Sequence, residues 1–303
     1  MNAEPDKNNN ININKYENDG ADVFSRDEFI IAVELDPPVN DDAAFFADGV
    51  KILRDAGADI ITIADSPMGR PRMDSCMLAA KMKREYKTEV LPHMTCRDRN
   101  RNSVQAALLG LALENISNIL LVTGDAPEDR ERVKPVFQFK SIELAKAVLE
   151  MNQENIFHKP FRIFGALNIN AKFFDKELEK ARRKEQSGMS GFFTQPVLSQ
   201  EAFENLRRAR EILTGKLFGG VFPPISYRNA VYLNQNVHGI RVSDEIIALY
   251  DGKSREESEE IAVDLAVRTA RKIEKIADGL YLMTPFRRVS MMSEIIRDIK
   301  NNK

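Results

Sequence analysis

Residues 29–38 read FIIAVELDPP, an unbroken apolar and β-branched run that ends in two carboxylates and two prolines. A strand apolar on both faces is buried on both, as in a parallel sheet sheathed by helices. The turn that follows lacks the GxGxxG spacing with which an open, doubly wound dinucleotide-binding sheet begins. Outward from this stretch the same alternation of a short apolar run and a longer segment of helical spacing recurs. The runs are ADIITIAD (58–65), EVLPHMTC (89–96), NILLVTGD (118–125), RIFGALNI (162–169), GFFTQPV (191–197), LFGGVFP (217–223) and DGLYLMTP (278–285). Helical spacing covers 41–55, 74–86, 101–114, 139–151, 175–187, 199–213, 226–235 and 288–300. Eight strands and eight helices in strict order predict an α/β chain closed into a (β/α)8 TIM barrel. Segment 239–277 predicts extra helices before the last strand. The second of these has Ser254 and Glu257 as a capping box and an apolar stripe through Ile261, Leu265, Ala266, Thr269, Ile273 and Ile276, which packs it on the barrel wall.

A barrel of this kind routinely uses about 250 residues as one unit, so the 303 residues are read as a single catalytic domain over 28–303. The first 27 residues, polar and Asn-rich (MNAEPDKNNNININKYENDG at their start), are expected to be a disordered tail. With 44 Lys and Arg against 46 Asp and Glu, the net charge of −2 offers no global field for nucleic acid or an anionic membrane. The two cysteines, Cys76 and Cys96, are too few for a disulfide scaffold or a four-cysteine zinc site and fit a reducing cytoplasm. No apolar run of spanning length and no leader is read. The three histidines, His93, His158 and His238, share no metal-ligand spacing, so no catalytic metal is expected.

In such a barrel the C-terminal strand ends hold side chains rigidly while leaving them within reach of a ligand. Polar residues collect there: Glu34 and Asp36, Asp65, His93 and Thr95, Asp125, Asn168 and Asn170, Thr194 and Gln195, Tyr227, Thr284 and Arg287. Glu34, between Val33 and Leu35 and followed by Pro37, is expected to have its charged form disfavoured and to carry a proton near neutral pH; the alternative is a salt bridge to an Arg of a neighbouring strand. Asp125 follows Gly124, which lets the backbone turn sharply against a flat ligand. Its carboxylate either accepts hydrogen bonds from the donor edge of a heterocycle or caps the turn before Pro127. Gln195, among Phe192, Phe193 and Pro196, bonds a ligand or the barrel backbone. Arg183 and Lys184, in KARRKEQ (180–186), reach a phosphate or lie on a solvated helix face. Lys172, in a polar loop, has nothing to desolvate it into a Schiff-base nucleophile.

With these residues in order, the stretches VELDPP, LPHMTC, ILLVTGD, GFFTQP and GVFPP, each at its expected strand, make the chain from about Phe29 to Ile299 resemble the methylenetetrahydrofolate reductases, flavin-dependent (β/α)8 barrels. The resemblance implies that Glu34 is the general acid that opens the methylene ring of the folate to an iminium ion, and that Asp125 lies beside flavin and pterin and stabilises the cation. It implies a flavin held by His93, Thr95, Gly124, Asp125 and Asn168, with Arg183 and Lys184 at its phosphates. Gln195, Leu233 and Arg287 fall to the folate substrate. Reduced flavin then gives hydride to the iminium carbon, forming 5-methyltetrahydrofolate, a step of one-carbon metabolism and methionine biosynthesis.

Where many relatives carry aromatic residues after the first-strand glutamate, an Arg before Gly-Asp and Thr-Tyr at the second strand, this chain has Leu35 and Asp36, Thr123, and Ala64 and Asp65. These changes leave FAD and FMN both open. The donor is left as NADH, NADPH or a reduced partner protein, and a homo-oligomer or an iron-sulfur or zinc partner subunit stays open too. A pterin-binding methyltransferase and a flavin relay subunit of a larger electron-transfer complex are the rival functions.

Overall fold

A computed structural model describes residues 22–237 and 239–301; residues 1–21 of the expected tail, and His238, lie outside the described residues. Eight strands, β1 (Ile30–Leu35), β2 (Ile60–Ile63), β3 (Val90–Thr95), β4 (Asn118–Val122), β5 (Arg162–Leu167), β6 (Met189–Pro196), β7 (Lys216–Val221) and β8 (Gly279–Met283), form a closed barrel in chain order. Every neighbouring pair is parallel, and β8 closes on β1 with Ala32 opposite Tyr281 and Glu34 opposite Met283. The helices of the outer layer are α1 (Ala44–Ala56), α2 (Ser75–Tyr86), α3 (Arg101–Leu113), α4 (Ser141–Gln153), α5 (Phe174–Gln186), α6 (Gln200–Ile212) and α7 (Tyr227–Asn236). The extra pair before β8 is α8 (Asp244–Ala248) and α9 (Arg255–Ile273), and α10 (Val289–Asn301) ends the described chain. None of the described helices is long and apolar enough to cross a membrane.

Strand alternation sorts the residues into two cores. On β1, Ile31, Val33 and Leu35 face the helices, whereas Ile30 and Ala32 face the barrel axis together with Ile60, Leu91, Leu120, Phe164, Phe193, Phe218 and Tyr281. The capping box at Ser254 and Glu257 is formed, and α9 buries Ala262, Leu265, Ala266, Ala270 and Ile273. Tyr250 anchors the extra segment, donating its hydroxyl to the Pro224 carbonyl at 2.6 Å.

The expected tail boundary moves. Residues 23–25 form one turn of 3-10 helix, Phe24 is 2% exposed, and its ring lies 4.3 Å from that of Phe164 and 5.6 Å from that of Phe218. An open barrel end would leave those rings in water, so burying Phe24 there removes apolar surface from both sides. Asp22 secures the turn through a 2.8 Å ion pair with Arg162. The polar composition upstream hides this plug from a reading by composition.

Candidate active site

Because β1 alternates, Glu34 shares the inward parity of Ile30 and Ala32 and stands where the barrel interior opens. Its side chain is 20% exposed. Burial first, and then the negative charge of Asp36, raise its pKa from 4.5 to about 7, against the opposing pull of the Tyr281 hydroxyl, which donates to Oε2. No arginine takes the carboxylate among the described residues. Tyr281 is itself held by packing, with its ring 5.2 Å from Phe193 and edge-on to it, and burial lifts its own pKa well above the usual phenol value.

His93 completes the cluster. Its Nε2 lies 3.7 Å from Glu34 Oε2, and burial pushes its pKa down to about 3, so the imidazole is neutral at every pH near 7. That neutrality matters, because an imidazolium at this distance would favour the glutamate anion. Nε2 is buried without a hydrogen-bond partner among the described residues. Such an atom is costly unless something polar approaches it.

A second group gathers over β2, β3 and β4. Gly124 has φ +87°, and a Cβ there would lie 2.9 Å from Thr95 Cβ, so the chain passes close over β3 as the Gly-Asp turn requires. Asp125 next to it is exposed and accepts a 2.9 Å hydrogen bond on Oδ2 from the Met68 amide. It therefore bonds across to the loop after β2 instead of capping its own turn. Thr95 is committed below, its hydroxyl and amide both donating to Asp65 at 3.1 and 2.9 Å. Asn168 accepts from the Asn170 amide at 3.0 Å, and Asn170 bridges to the Pro196 and Gly239 carbonyls. The Gln195 side chain makes no hydrogen bond to a described residue and is half-buried. A cleft of about 820 Å3, walled by Asn168, Asn170, Lys172, Ser199, Asn234 and Arg241, opens over the ends of β5 and β6 beside these residues.

The remaining expected residues fall differently. Leu233 is 5% exposed in a satellite cluster with Leu198, Ala230, Ile240, Val242 and Tyr250; it packs the extra segment onto α7 instead of facing the mouth. Arg183 is exposed on α5. Lys184, one residue on, is buried with its ammonium on the carbonyl of Ala166, and desolvation lowers its pKa to about 8. The helix turn thus separates two residues that adjacency had grouped. Arg287 is exposed in the turn after β8 with φ 62°, its guanidinium 5.6 Å from the Phe45 ring. Two participants escaped the sequence reading: Tyr281, whose inward parity in GLYLM was a usable signal, and Met68, whose amide reaches Asp125 only through tertiary contact.

One observation suits a bound group with a polar edge: His93 Nε2 is a buried, orphaned polar atom beside Glu34. The family model described as methylenetetrahydrofolate reductase matches residues 21–300. No curated protein matches the chain. Among solved structures, an uncharacterised protein from Clostridium thermocellum that binds two copies of 5-methyl-5,6,7,8-tetrahydrofolic acid is 12% identical, with a TM-score of 0.64 over 93% of this chain and 98% of that one. Tryptophan synthase from M. tuberculosis is 10% identical, with a TM-score of 0.51 over 91% and 92%. A protein from Aquifex aeolicus is 11% identical, with a TM-score of 0.52 over 91% and 94%. At such identities these likenesses speak for the barrel alone.

Proposed function

This chain belongs to the methylenetetrahydrofolate reductase family, and from that premise we propose that it reduces 5,10-methylenetetrahydrofolate to 5-methyltetrahydrofolate in the cytoplasm, with Glu34 as general acid. The observation that carries the reading is the Glu34 carboxyl at the barrel mouth, with a pKa of about 7 beside a neutral His93. A carboxylic acid poised near the working pH holds a transferable proton and still gives it up readily, a contribution of about 10²–10⁴ in rate. Glu34 passes its proton to the ring nitrogen of the folate, whose methylene bridge opens to an iminium ion. Tyr281 keeps the carboxyl aimed, and Asp125 offers the developing cation an anion that no described residue neutralises.

His93, Gly124 and Asn168 would hold a flavin, FAD or FMN, which when bound would supply the hydride for the iminium carbon. Gln195 offers an amide donor and acceptor to the pterin edge. The neighbour that binds 5-methyl-5,6,7,8-tetrahydrofolic acid shows that a barrel of this fold can hold a folate.

Purified protein is expected to be yellow and to bleach anaerobically when 5-methyltetrahydrofolate alone is added, the half-reaction running in reverse. A colourless protein that neither FAD nor FMN reconstitutes overturns the reading. Folate binding without flavin would favour the methyltransferase instead. Bleaching by a one-electron donor but by neither folate nor nicotinamide would favour the relay subunit.

A further inference from the structure

The rim over β2, β3 and β4 holds more charge than the proposed chemistry uses, and its arrangement is selective. Arg97 is 3% exposed. Its Nε and Nη2 grip the Asp98 carboxylate at 2.9 and 2.7 Å, and its Nη1 reaches two backbone carbonyls, Ser66 at 3.3 Å and Asp125 at 3.1 Å. Ser66 belongs to the loop after β2 and Asp125 to the loop after β4, so one guanidinium rooted after β3 ties its two neighbours together. The loops also touch directly: Glu128 N donates to the Gly69 carbonyl at 3.2 Å, and Met68 N to Asp125 Oδ2 at 2.9 Å.

Two other arginines of this rim are matched to carboxylates other than Asp125. Arg70 pairs with Glu128 at 2.7 Å, and Arg99 with Asp65 and Asp74 at 2.6 and 2.9 Å. Among the described residues Asp125 has no ion pair, although it sits within this cluster. A fork-shaped guanidinium satisfied by one carboxylate has little reason to swing to a second. Asp98 thus holds Arg97 to a backbone task and keeps its charge off the Asp125 side chain.

We infer that Arg97, locked by Asp98, is a positioning residue: it braces the loops after β2 and β4 so that the Asp125 carboxylate is oriented by the Met68 amide and left unneutralised toward the ligand. The inference rests on the functional reading above, with Asp125 beside the pterin as the resemblance implies. Lysine at 97 keeps the charge and loses the fork, so it removes the brace with least disturbance to the rim.

The test is a double-mutant cycle on 5-methyltetrahydrofolate affinity, with Arg97→Lys, Asp125→Ala and the pair. Arg97→Lys is expected to weaken binding roughly tenfold in the native background and less than about twofold when Asp125 is already alanine. Equal factors in both backgrounds, or no change in either, overturn the proposal. Should Arg97→Lys not fold, Asp98→Asn, at a side chain 41% exposed, takes its place with the same expected coupling. Hydrogen exchange of the Met68 amide gives a reading without ligand: protection in the native chain that is lost in Arg97→Lys supports the brace, and protection retained overturns it. If the native chain binds no 5-methyltetrahydrofolate, the functional reading fails while the exchange result still decides the brace.

Discussion

Glu34→Gln is expected to make the protein more stable at alkaline pH while removing its activity. In the folded chain the carboxyl keeps its proton up to about pH 7, whereas its ordinary value is 4.5. Between those values the native state binds more protons than the unfolded state, so stability falls as pH rises, and above 7 the full cost is in place. A rise from 4.5 to about 7 corresponds to about 3 kcal/mol. Glutamine matches the protonated acid in shape and still accepts from Tyr281, yet has no charge to bury. Urea unfolding at pH 4.5 and pH 8 measures the effect: the two proteins should differ little at the lower pH, and the variant should gain on the order of 1 M in midpoint at the higher one, with an unchanged slope. A variant less stable than the native chain at pH 8, or a difference independent of pH, would refute the claim that this carboxyl is protonated by its surroundings. Its rate of flavin oxidation by methylenetetrahydrofolate should fall by about 10²–10⁴.

Tyr281→Phe removes the hydrogen bond that opposes the rise of the Glu34 pKa. A bond to a charged group is worth about 1.5–3 kcal/mol, so the alkaline fall in the rate of flavin oxidation by methylenetetrahydrofolate should move upward by about one pH unit or more; a downward move contradicts the assignment. Phe24→Ala should cost about 3–5 kcal/mol as a large buried ring is lost, seen as a lower melting temperature, while 5-methyltetrahydrofolate affinity stays unchanged because the plug lies at the far end of the barrel. Gly69→Ala meets both a φ of +69° and the Ala126 carbonyl oxygen, which the new Cβ would strike. It should lower stability by about 1–3 kcal/mol and weaken folate binding, and unchanged titrations would show that the loops after β2 and β4 are not in contact.

The eight-fold alternation was legible in the sequence because hydrophobic period is a local property: a strand buried on both faces needs an apolar run, and a helix packed on it needs a stripe. For the same reason the capping box at Ser254 and the position of Glu34 at a strand end could be read from neighbouring residues alone. Tyr281 shows where local reading stops. Its inward parity is written in β8, but its hydroxyl meets Glu34, 247 residues away in the chain, only because closure sets β8 beside β1 with Ala32 opposite Tyr281.

Leu233 and Lys184 illustrate the same limit on helices. Each lies on an element whose existence is clear from spacing, yet the face it occupies depends on how the helix is rotated against a distant segment. Leu233 is covered by a cluster that includes Tyr250 and Val242, and Lys184 is turned inward to Ala166 while Arg183 looks out. Phe24 became core because the barrel has an end to fill, and a polar neighbourhood carries no trace of that demand. Local chemistry in the chain therefore settled which elements form and which carboxylate to watch. Long-range packing decided what stands beside that carboxylate and what charge it bears, since a pKa answers to burial and to neighbours that only the closed barrel assembles.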